Sequence, residues 1–199
     1  MDSAWDKIYH TAEENGGHLT TKQAEASGVS RPMLTRFVES GKLVRVSRGH
    51  YILADSVPDE FALLQARSSR VIFSHGTALF FWGLSDRVPH LLDVTVPQGM
   101  NTTAIKRDNA AVRFHYVQPS VFDLGITETV SPQGNKILLY DKERCICDLI
   151  RARKHTDIQI FSQAIKDYFA GSVNARKLLK YGKQFGIEDK IRTYMEVLM

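Results

Sequence analysis

Near its N-terminus the chain carries the signals of two short helices joined by a glycine turn. Thr20 and Gln23 have the spacing of a capping box, in which each side chain accepts a hydrogen bond from the other residue's backbone, so we expect a helix to begin directly after Thr20. Gly28 follows soon afterwards and keeps that helix short. Ser30 is placed to cap a further helix, which Gly41 ends. This order predicts a helix-turn-helix motif.

The segments on either side of this motif favour a winged form of it. Apolar residues recur at helical spacing from Ala4 to Ala12, which predicts a preceding helix. Residues 43–46 and 50–53 are interpreted as two strands around a turn, in which Gly49 can adopt a positive φ. A hairpin directly after the helix-turn-helix is a wing, so we predict a winged helix-turn-helix DNA-binding domain over residues 1–54.

The polar face of the third helix supplies the candidate DNA contacts. An α-helix fits the major groove of DNA, where an arginine can donate two hydrogen bonds to guanine. The start of the helix is placed to bind a phosphate oxygen, and the basic residues of the wing are expected to contact the backbone without reading sequence. A domain of this kind used only for protein contacts is the alternative. The predicted DNA-binding residues are Ser30, Arg31, Thr35, Arg36, Arg45, Arg48 and His50.

Positive charge is concentrated in two parts of the chain, whose net charge is +4. Residues 22–50 contain six lysines and arginines against two glutamates, and residues 151–192 contain ten against four acidic residues. Clustered cations favour a polyanionic partner, although a solvated charged face is the alternative for the second cluster. The candidates there for additional contacts with DNA or another macromolecule are Arg151, Arg153, Lys154, Arg176, Lys177, Lys180 and Lys183.

The remaining chain mixes helical and strand patterns, so the predicted fold class is α+β (mixed α/β). We place a C-terminal domain at residues 55–199, with an α/β core at about 60–153 and a basic helical tail at about 154–199. Strands are expected at 71–73, 91–97, 112–117, 126–130 and 136–140, and helices at 61–69, 74–82 and 142–153, followed by a helical tail broken at Gly171, Gly182 and Gly186.

Asp93 is the residue that comes nearest to indicating phosphate chemistry. It lies in a predicted strand, after a helix that begins with Ser74, His75 and Gly76. Nucleotidyl-transferring enzymes use small residues at a helix start and two carboxylates at strand ends to hold metal and phosphate. Thr95 stands where a second acid would be needed, and one carboxylate cannot hold the two metal ions of such chemistry.

Ser74, His75 and Asp86 do not make a convincing catalytic triad, because no glycine elbow exposes the serine. Ser74 is expected to cap its helix and His75 to be a structural histidine. Cys145 and Cys147 are interpreted as buried thiols of a reducing cytoplasm rather than a disulfide. The sequence therefore predicts no catalytic residue, no metal ion and no cofactor. It also offers neither a signal peptide nor a membrane span.

Five stretches, in this order, resemble the AbiEi antitoxin family: Gly17 to Arg31, Leu43 to Leu53, Ser74 to Asp86, Leu92 to Pro97 and Tyr140 to Arg151. The resemblance implies the antitoxin of a type IV toxin–antitoxin system, which acts in bacterial abortive infection, an antiviral defence against phage. Such antitoxins are autoregulated transcription repressors that bind inverted repeats in their own promoter through the winged helix. Their C-terminal domain counteracts an AbiEii toxin, which is nucleotidyltransferase-like, without needing a stable complex.

The expected partners are therefore double-stranded DNA and an AbiEii-like toxin, with no membrane. The protein is expected to be cytoplasmic and monomeric in solution, with more than one copy on the operator. The second basic cluster is a candidate for contacts with either partner. Two other functions stay open: a DNA-targeted phosphate-handling or nuclease-like enzyme, and an adaptor whose winged helix binds protein.

Overall fold

A computed structural model describes residues 3–108 and 111–199, which divide into two compact units. The first comprises the described residues up to Ser69 together with Thr129–Ile137. The second comprises Arg70–Glu128, within the described range, and Leu138–Met199. The predicted boundary after residue 54 therefore falls inside the first unit.

The first unit contains the predicted winged helix-turn-helix. Its three strands form an antiparallel sheet in the order β1-β3-β2, with a bulge in β2 between Arg45 and Ser47. The strand β1 was not predicted, because three residues are too few to show an alternating pattern. The elements of the unit are α1 (Ala4–Glu13), β1 (His18–Thr20), α2 (Thr21–Ala26), α3 (Arg31–Glu39), β2 (Leu43–Ser47), β3 (His50–Leu53) and α4 (Glu60–Ala66).

Local capping and a small apolar core fix this arrangement. The predicted capping box is present: the backbone N–H of Gln23 donates to Thr20 Oγ1 at 3.2 Å, and that of Thr20 donates to Gln23 Oε1 at 2.8 Å. The core joins the three helices to the sheet, so α3 is held rigidly by its inner face. Its buried members are Ile8, Ala12, Leu19, Ala24, Val29, Leu34, Leu43, Tyr51 and Leu53.

A buried carboxylate explains why the first unit extends beyond the wing. Asp59 Oδ1 caps α4 by accepting hydrogen bonds from the backbone N–H groups of Phe61 and Ala62 at 3.0 and 3.2 Å. Its other oxygen accepts from Asn135 Nδ2 at 2.8 Å and from the hydroxyl of Ser131. Because an unmade bond to a buried charge is costly, this network holds α4 and the 131–135 turn together.

The second unit is built on a mixed five-stranded sheet in the order β6-β5-β4-β8-β7, which confirms the predicted fold class. Strand β5 runs antiparallel to β4 and parallel to β6, and β4 runs parallel to β8. The strands of this sheet are β4 (Ile72–Phe73), β5 (Leu92–Pro97), β6 (Val112–Val117), β7 (Ile126–Val130) and β8 (Lys136–Tyr140). The last two residues of β7 and the first two of β8 belong to the 129–137 segment that is grouped with the first unit. The helices of the second unit are α5 (His75–Phe81), α6 (Thr103–Asp108), α7 (Pro119–Phe122), α8 (Lys142–Arg151), α9 (Ile158–Ala170), α10 (Ala175–Phe185) and α11 (Glu188–Leu198).

One of the three predicted glycine breaks in the helical tail is wrong. Gly171 and Gly186 do end α9 and α10, the latter in the left-handed conformation. Gly182 instead lies buried inside α10, where an added Cβ would overlap Ile191 of α11. This glycine allows two helices to approach closely, a requirement that depends on tertiary packing and that local sequence does not reveal.

The two cysteines are buried and free, as predicted. Burial raises the pKa of the Cys147 thiol to about 12 and that of Cys145 well above its usual value. Both therefore remain protonated and unreactive near neutral pH.

Arg144 is fully buried at the centre of the second unit. Its Nε donates to Asp148 Oδ2 one helical turn further along α8, at 2.9 Å. Its Nη1 donates to the carbonyl oxygens of Val121 and Leu124, at 2.7 and 2.8 Å. The same guanidinium lies over the ring of Tyr140 at 4.1 Å and over that of Phe185 at 4.5 Å. It thereby connects β8, α8 and α10 to the 121–124 segment.

We predict that Arg144→Lys lowers the free energy of unfolding by about 3 kcal/mol, because a lysine cannot reproduce the forked hydrogen bonds or the contacts of a planar group with two rings. Urea denaturation of the full chain measures this change. The control is Arg192→Ala, which removes another arginine–acid pair four residues apart, Arg192–Glu188, whose arginine is exposed. The control should cost no more than about 1 kcal/mol. Equal losses in the two variants would contradict a central role for Arg144.

Candidate nucleic-acid interface

The third helix presents a polar face that is free of the core. Leu34 is buried on the inner side of α3, whereas Arg31, Thr35 and Arg36 are all exposed. Ser30 occupies the N-cap position as predicted, but its side chain makes no capping hydrogen bond and is exposed. Its hydroxyl and the three side chains of α3 are therefore available to a ligand.

Arg31 has a partner that the sequence did not reveal. Its Nε donates to Glu25 Oε1 of α2 at 2.9 Å, and the two side chains remain 76% and 46% exposed. The residues lie on different helices, so their contact depends on how α2 and α3 cross. A pair this exposed contributes little to stability, but it places a negative charge beside a candidate DNA contact.

The wing is attached to the motif through its backbone. The N–H of Thr21, at the start of α2, donates to the carbonyl of Gly49 at 2.9 Å, and Gly49 adopts the predicted positive φ of 78°. Arg48, in the turn, and Arg45, in β2, are exposed. The two arginines are thus carried by a hairpin that is fixed relative to α2.

His50 is placed differently from the other predicted DNA contacts. It is half-buried, and together with His18, Thr20 and Gln23 it lines a cavity of about 410 Å³ in the first unit. Burial lowers the pKa of His50, so its imidazole is neutral near neutral pH. It can offer a hydrogen bond there, but not the positive charge that a phosphate contact gains from arginine.

Three members of the second basic cluster are engaged within the second unit. Burial opposes the charge of Lys177, but Asp141 and Glu143, 2.9 and 3.2 Å from its Nζ, outweigh this effect and raise its pKa. Arg151 pairs with Asp148 at 3.2 Å, and Arg153 lies over the ring of Phe161 at 4.5 Å. Lys177 and Arg151 therefore form salt bridges within the unit.

The other members of this cluster are exposed. Arg176, Lys180 and Lys183 lie four and three residues apart on α10, so their side chains share one face of the helix. Lys154, in the turn after α8, is also exposed. Within residues 3–108 and 111–199, none of these four has an ion-pair partner. They are the part of the cluster available to a partner.

Asp93 is almost buried on β5 and has two basic neighbours on β6. His115 Nε2 lies 2.8 Å from Asp93 Oδ1, and Arg113 Nη1 lies 3.7 Å from the same oxygen. In the parallel ladder Arg113 is the partner of Asp93, and His115 that of Thr95. Sequence reasoning missed both residues, because only the pairing of β5 with β6 brings them to Asp93.

The expected capping role of Ser74 is wrong in detail. Ser74 stands at the N-cap of α5 but makes no side-chain capping bond; its Oγ accepts from Thr95 Oγ1 at 2.8 Å and lies 3.0 Å from His75 Nδ1. Burial is the main cause that lowers the pKa of His75 to about 4, so its ring is neutral. Asp86 is exposed and makes no hydrogen bond with His75 in the part of the chain that the structure describes.

Taken together, the first unit has a winged helix-turn-helix fold with exposed arginines on its third helix and wing, an arrangement typical of transcriptional regulators. Residues 6–54 match the family model described as transcriptional regulator, AbiEi antitoxin. Over these residues the chain is therefore similar to the winged helix of AbiEi antitoxins, and the resemblance noted from the sequence is confirmed there.

A solved structure with a similar fold is that of the RV2827C protein from Mycobacterium tuberculosis. It superimposes with a TM-score of 0.59 at 12% sequence identity, covering 92% of this chain and 72% of that one. At such low identity the likeness concerns the fold alone. No curated protein matches the chain. Among the described residues, no helix has the length and apolar character needed to cross a membrane.

The position of Glu25 generates a prediction for DNA binding. Glu25→Gln should tighten binding to any duplex by about two- to fivefold, because it frees Arg31 and removes a charge that repels phosphate. Fluorescence anisotropy with a labelled duplex at fixed salt measures the change. Glu60→Gln, an exposed acid in the same unit, controls for net charge. Weaker binding by Glu25→Gln would mean that Glu25 is needed to orient Arg31.

Proposed function

We propose that the protein is an antitoxin and an autorepressor, which binds inverted repeats in its own promoter through the winged helix. The observation that carries this proposal is the exposed set of Arg31, Thr35 and Arg36, on the face of α3 opposite its buried side. The family match over residues 6–54 supports both the regulatory and the antitoxin role.

The proposed contacts fall into two groups, those that read base edges and those that bind the phosphate backbone. With α3 in the major groove, Arg31 and Arg36 read guanine edges, and Thr35 contacts a thymine methyl group or a phosphate. Ser30, Arg45 and Arg48 bind the phosphate backbone and set the register. One winged helix covers one half-site, so an inverted repeat requires at least two copies of a protein that is monomeric in solution.

The antitoxin activity is assigned to the part of the chain beyond the winged helix. There the protein counteracts a nucleotidyltransferase-like toxin of the AbiEii type, without forming a stable complex. We assign no catalytic activity to the antitoxin itself, since Asp93 is joined by Thr95 and His115 rather than by further acids. A repressor of its own operon acts in the cytoplasm.

We further propose that the exposed residues Arg176, Lys180 and Lys183 of α10, with Lys154, add contacts to the DNA backbone. The support is their charge and their lack of ion-pair partners among the described residues. Lys177, Arg151 and Arg153 are not included, because their cationic groups are held by neighbouring side chains.

The main test uses the inverted repeat upstream of the gene in a mobility-shift assay. Arg31→Ala and Arg36→Ala should each cost about 1–3 kcal/mol on this site and much less on a scrambled duplex. Arg48→Ala should weaken binding to all sequences alike and lower the salt slope by about one. Lys7→Ala, on the exposed side of α1, is the matched control. Unchanged affinity in the Arg31/Arg36 double variant would refute the proposal.

The role of α10 is tested by changing Arg176, Lys180 and Lys183 together to alanine. If they contact phosphates, the salt slope of operator binding should fall by about two to three. The control is Lys177→Ala, which should lower stability while leaving the salt slope of the folded protein unchanged. An unchanged slope in the triple variant, with loss of protection in a toxin co-expression growth assay, would assign this face to the toxin instead of DNA.

A further inference from the structure

The second unit contains a cleft that the proposed function does not use. A cavity of about 600 Å³ is lined by the apolar side chains of Leu79, Leu149 and Ile160 and by the polar side chains of Asp93, Arg113 and His115, among others. A second cavity, of about 560 Å³, shares Asp93, Arg113 and Ile160 with it. The two cavities therefore meet at these residues, and we call them together the Asp93 cleft. Their size is that of small-molecule sites.

Backbone strain is located at the wall of this cleft. Within the described residues, His75 is the only residue other than glycine with a positive φ, at 45°. Its ring is stacked on that of His115, with the centroids 3.6 Å apart and the planes inclined by 13°. A strained conformation persists only where its surroundings require it, and such positions concentrate at ligand-binding sites.

Gly76, which follows His75, lets the Asp93 carboxylate lie close to the backbone. A Cβ added to Gly76 would lie 2.9 Å from Asp93 Oδ2, so only glycine fits there without a shift. His115 already occupies the neighbourhood of Oδ1. The side chain of Asp93 is 8% exposed, and it lines both cavities. It is thus an acceptor that can receive a hydrogen bond from a hydroxyl or amino group in the cleft.

Arg113 adds a positive charge at the same place. Its side chain is 57% exposed, and its distance of 3.7 Å from Asp93 leaves donor groups available. The other carboxylate of the first cavity, Asp157, is balanced by Arg87 at 3.6 Å. An anionic group can therefore bind at Arg113 while a donor group of the same ligand faces Asp93.

We propose that the Asp93 cleft binds a nucleoside phosphate. The base packs against the apolar lining residues, the hydroxyl or amino groups donate to Asp93, and the phosphate binds Arg113. The ligand is bound without nucleotidyl transfer, since Thr95 and His115 stand beside Asp93 where that reaction would need more carboxylates. No group of three or more metal-binding side chains occurs in residues 3–108 and 111–199.

Isothermal titration calorimetry of the full chain with ATP, with and without Mg²⁺, tests this proposal. We expect saturable binding with one site per chain, and tripolyphosphate should bind at least about tenfold more weakly, because it lacks the base and ribose. Arg113→Ala and Asp93→Asn should each weaken ATP binding by about tenfold or more. Gly76→Ala should also weaken it. Lys166→Ala, which removes an exposed cation on α9 outside the cleft, should have no effect.

Circular dichroism shows whether each variant is folded. Operator binding, measured on the same variants, keeps the test of ATP binding separate from the test of the DNA-binding proposal. The absence of saturable binding at millimolar ATP would overturn the inference, as would folded Arg113→Ala and Asp93→Asn variants that bind ATP normally. Tripolyphosphate binding as tight as ATP would reduce the cleft to a simple anion site. Mg²⁺-dependent transfer from labelled ATP, abolished in Asp93→Ala, would overturn the exclusion of catalysis.

Discussion

The second unit depends on a single buried guanidinium. Arg144 connects its own helix to β8 and α10 through the rings of Tyr140 and Phe185, and to the 121–124 segment through two carbonyl oxygens. Because the planar group is held by two aromatic rings and by hydrogen bonds from Nε and Nη1, α8 has little freedom to slide. The position of α8 in turn sets Leu149 against the Asp93 cleft. The same contact anchors the end of α10, the helix that carries the exposed basic face.

The basic cluster of the second unit illustrates how sequence charge and surface charge differ. Lys177 is one of the seven basic residues that the sequence offers as additional contacts with a partner. Its Nζ instead pairs with Asp141 and Glu143 at the start of α8. Asp141 also accepts a hydrogen bond from the hydroxyl of Tyr181 at 3.0 Å. These contacts give Lys177 a structural role, while Lys180 on the same helix remains exposed. Charge counting drew attention to this part of the chain, but it could not separate the cations held in internal contacts from the exposed ones.

Local signals were sufficient for the winged helix and insufficient for the cleft. The Thr20–Gln23 capping box and the glycine of the wing turn act within a few residues, so the sequence alone predicted them. The contacts of Arg113 and His115 with Asp93 arise from strand pairing across about twenty residues, and no periodicity reports such a register. The Glu25–Arg31 pair and the buried Gly182 were missed for the same reason: each depends on how two helices meet.

The network around Asp59 has a consequence for how the winged-helix domain can be exchanged in evolution. The winged helix is continuous in sequence, but the compact unit that contains it also includes the distant turn held by Asn135. An added Cβ on Gly16, in the loop after α1, would lie 2.8 Å from that same asparagine. The winged helix is therefore not an independent domain. Recombination that exchanged only residues 1–54 would separate Gly16 from the Asn135 turn against which it packs. Exchange of the winged helix is expected to require matched changes in that turn, about eighty residues downstream.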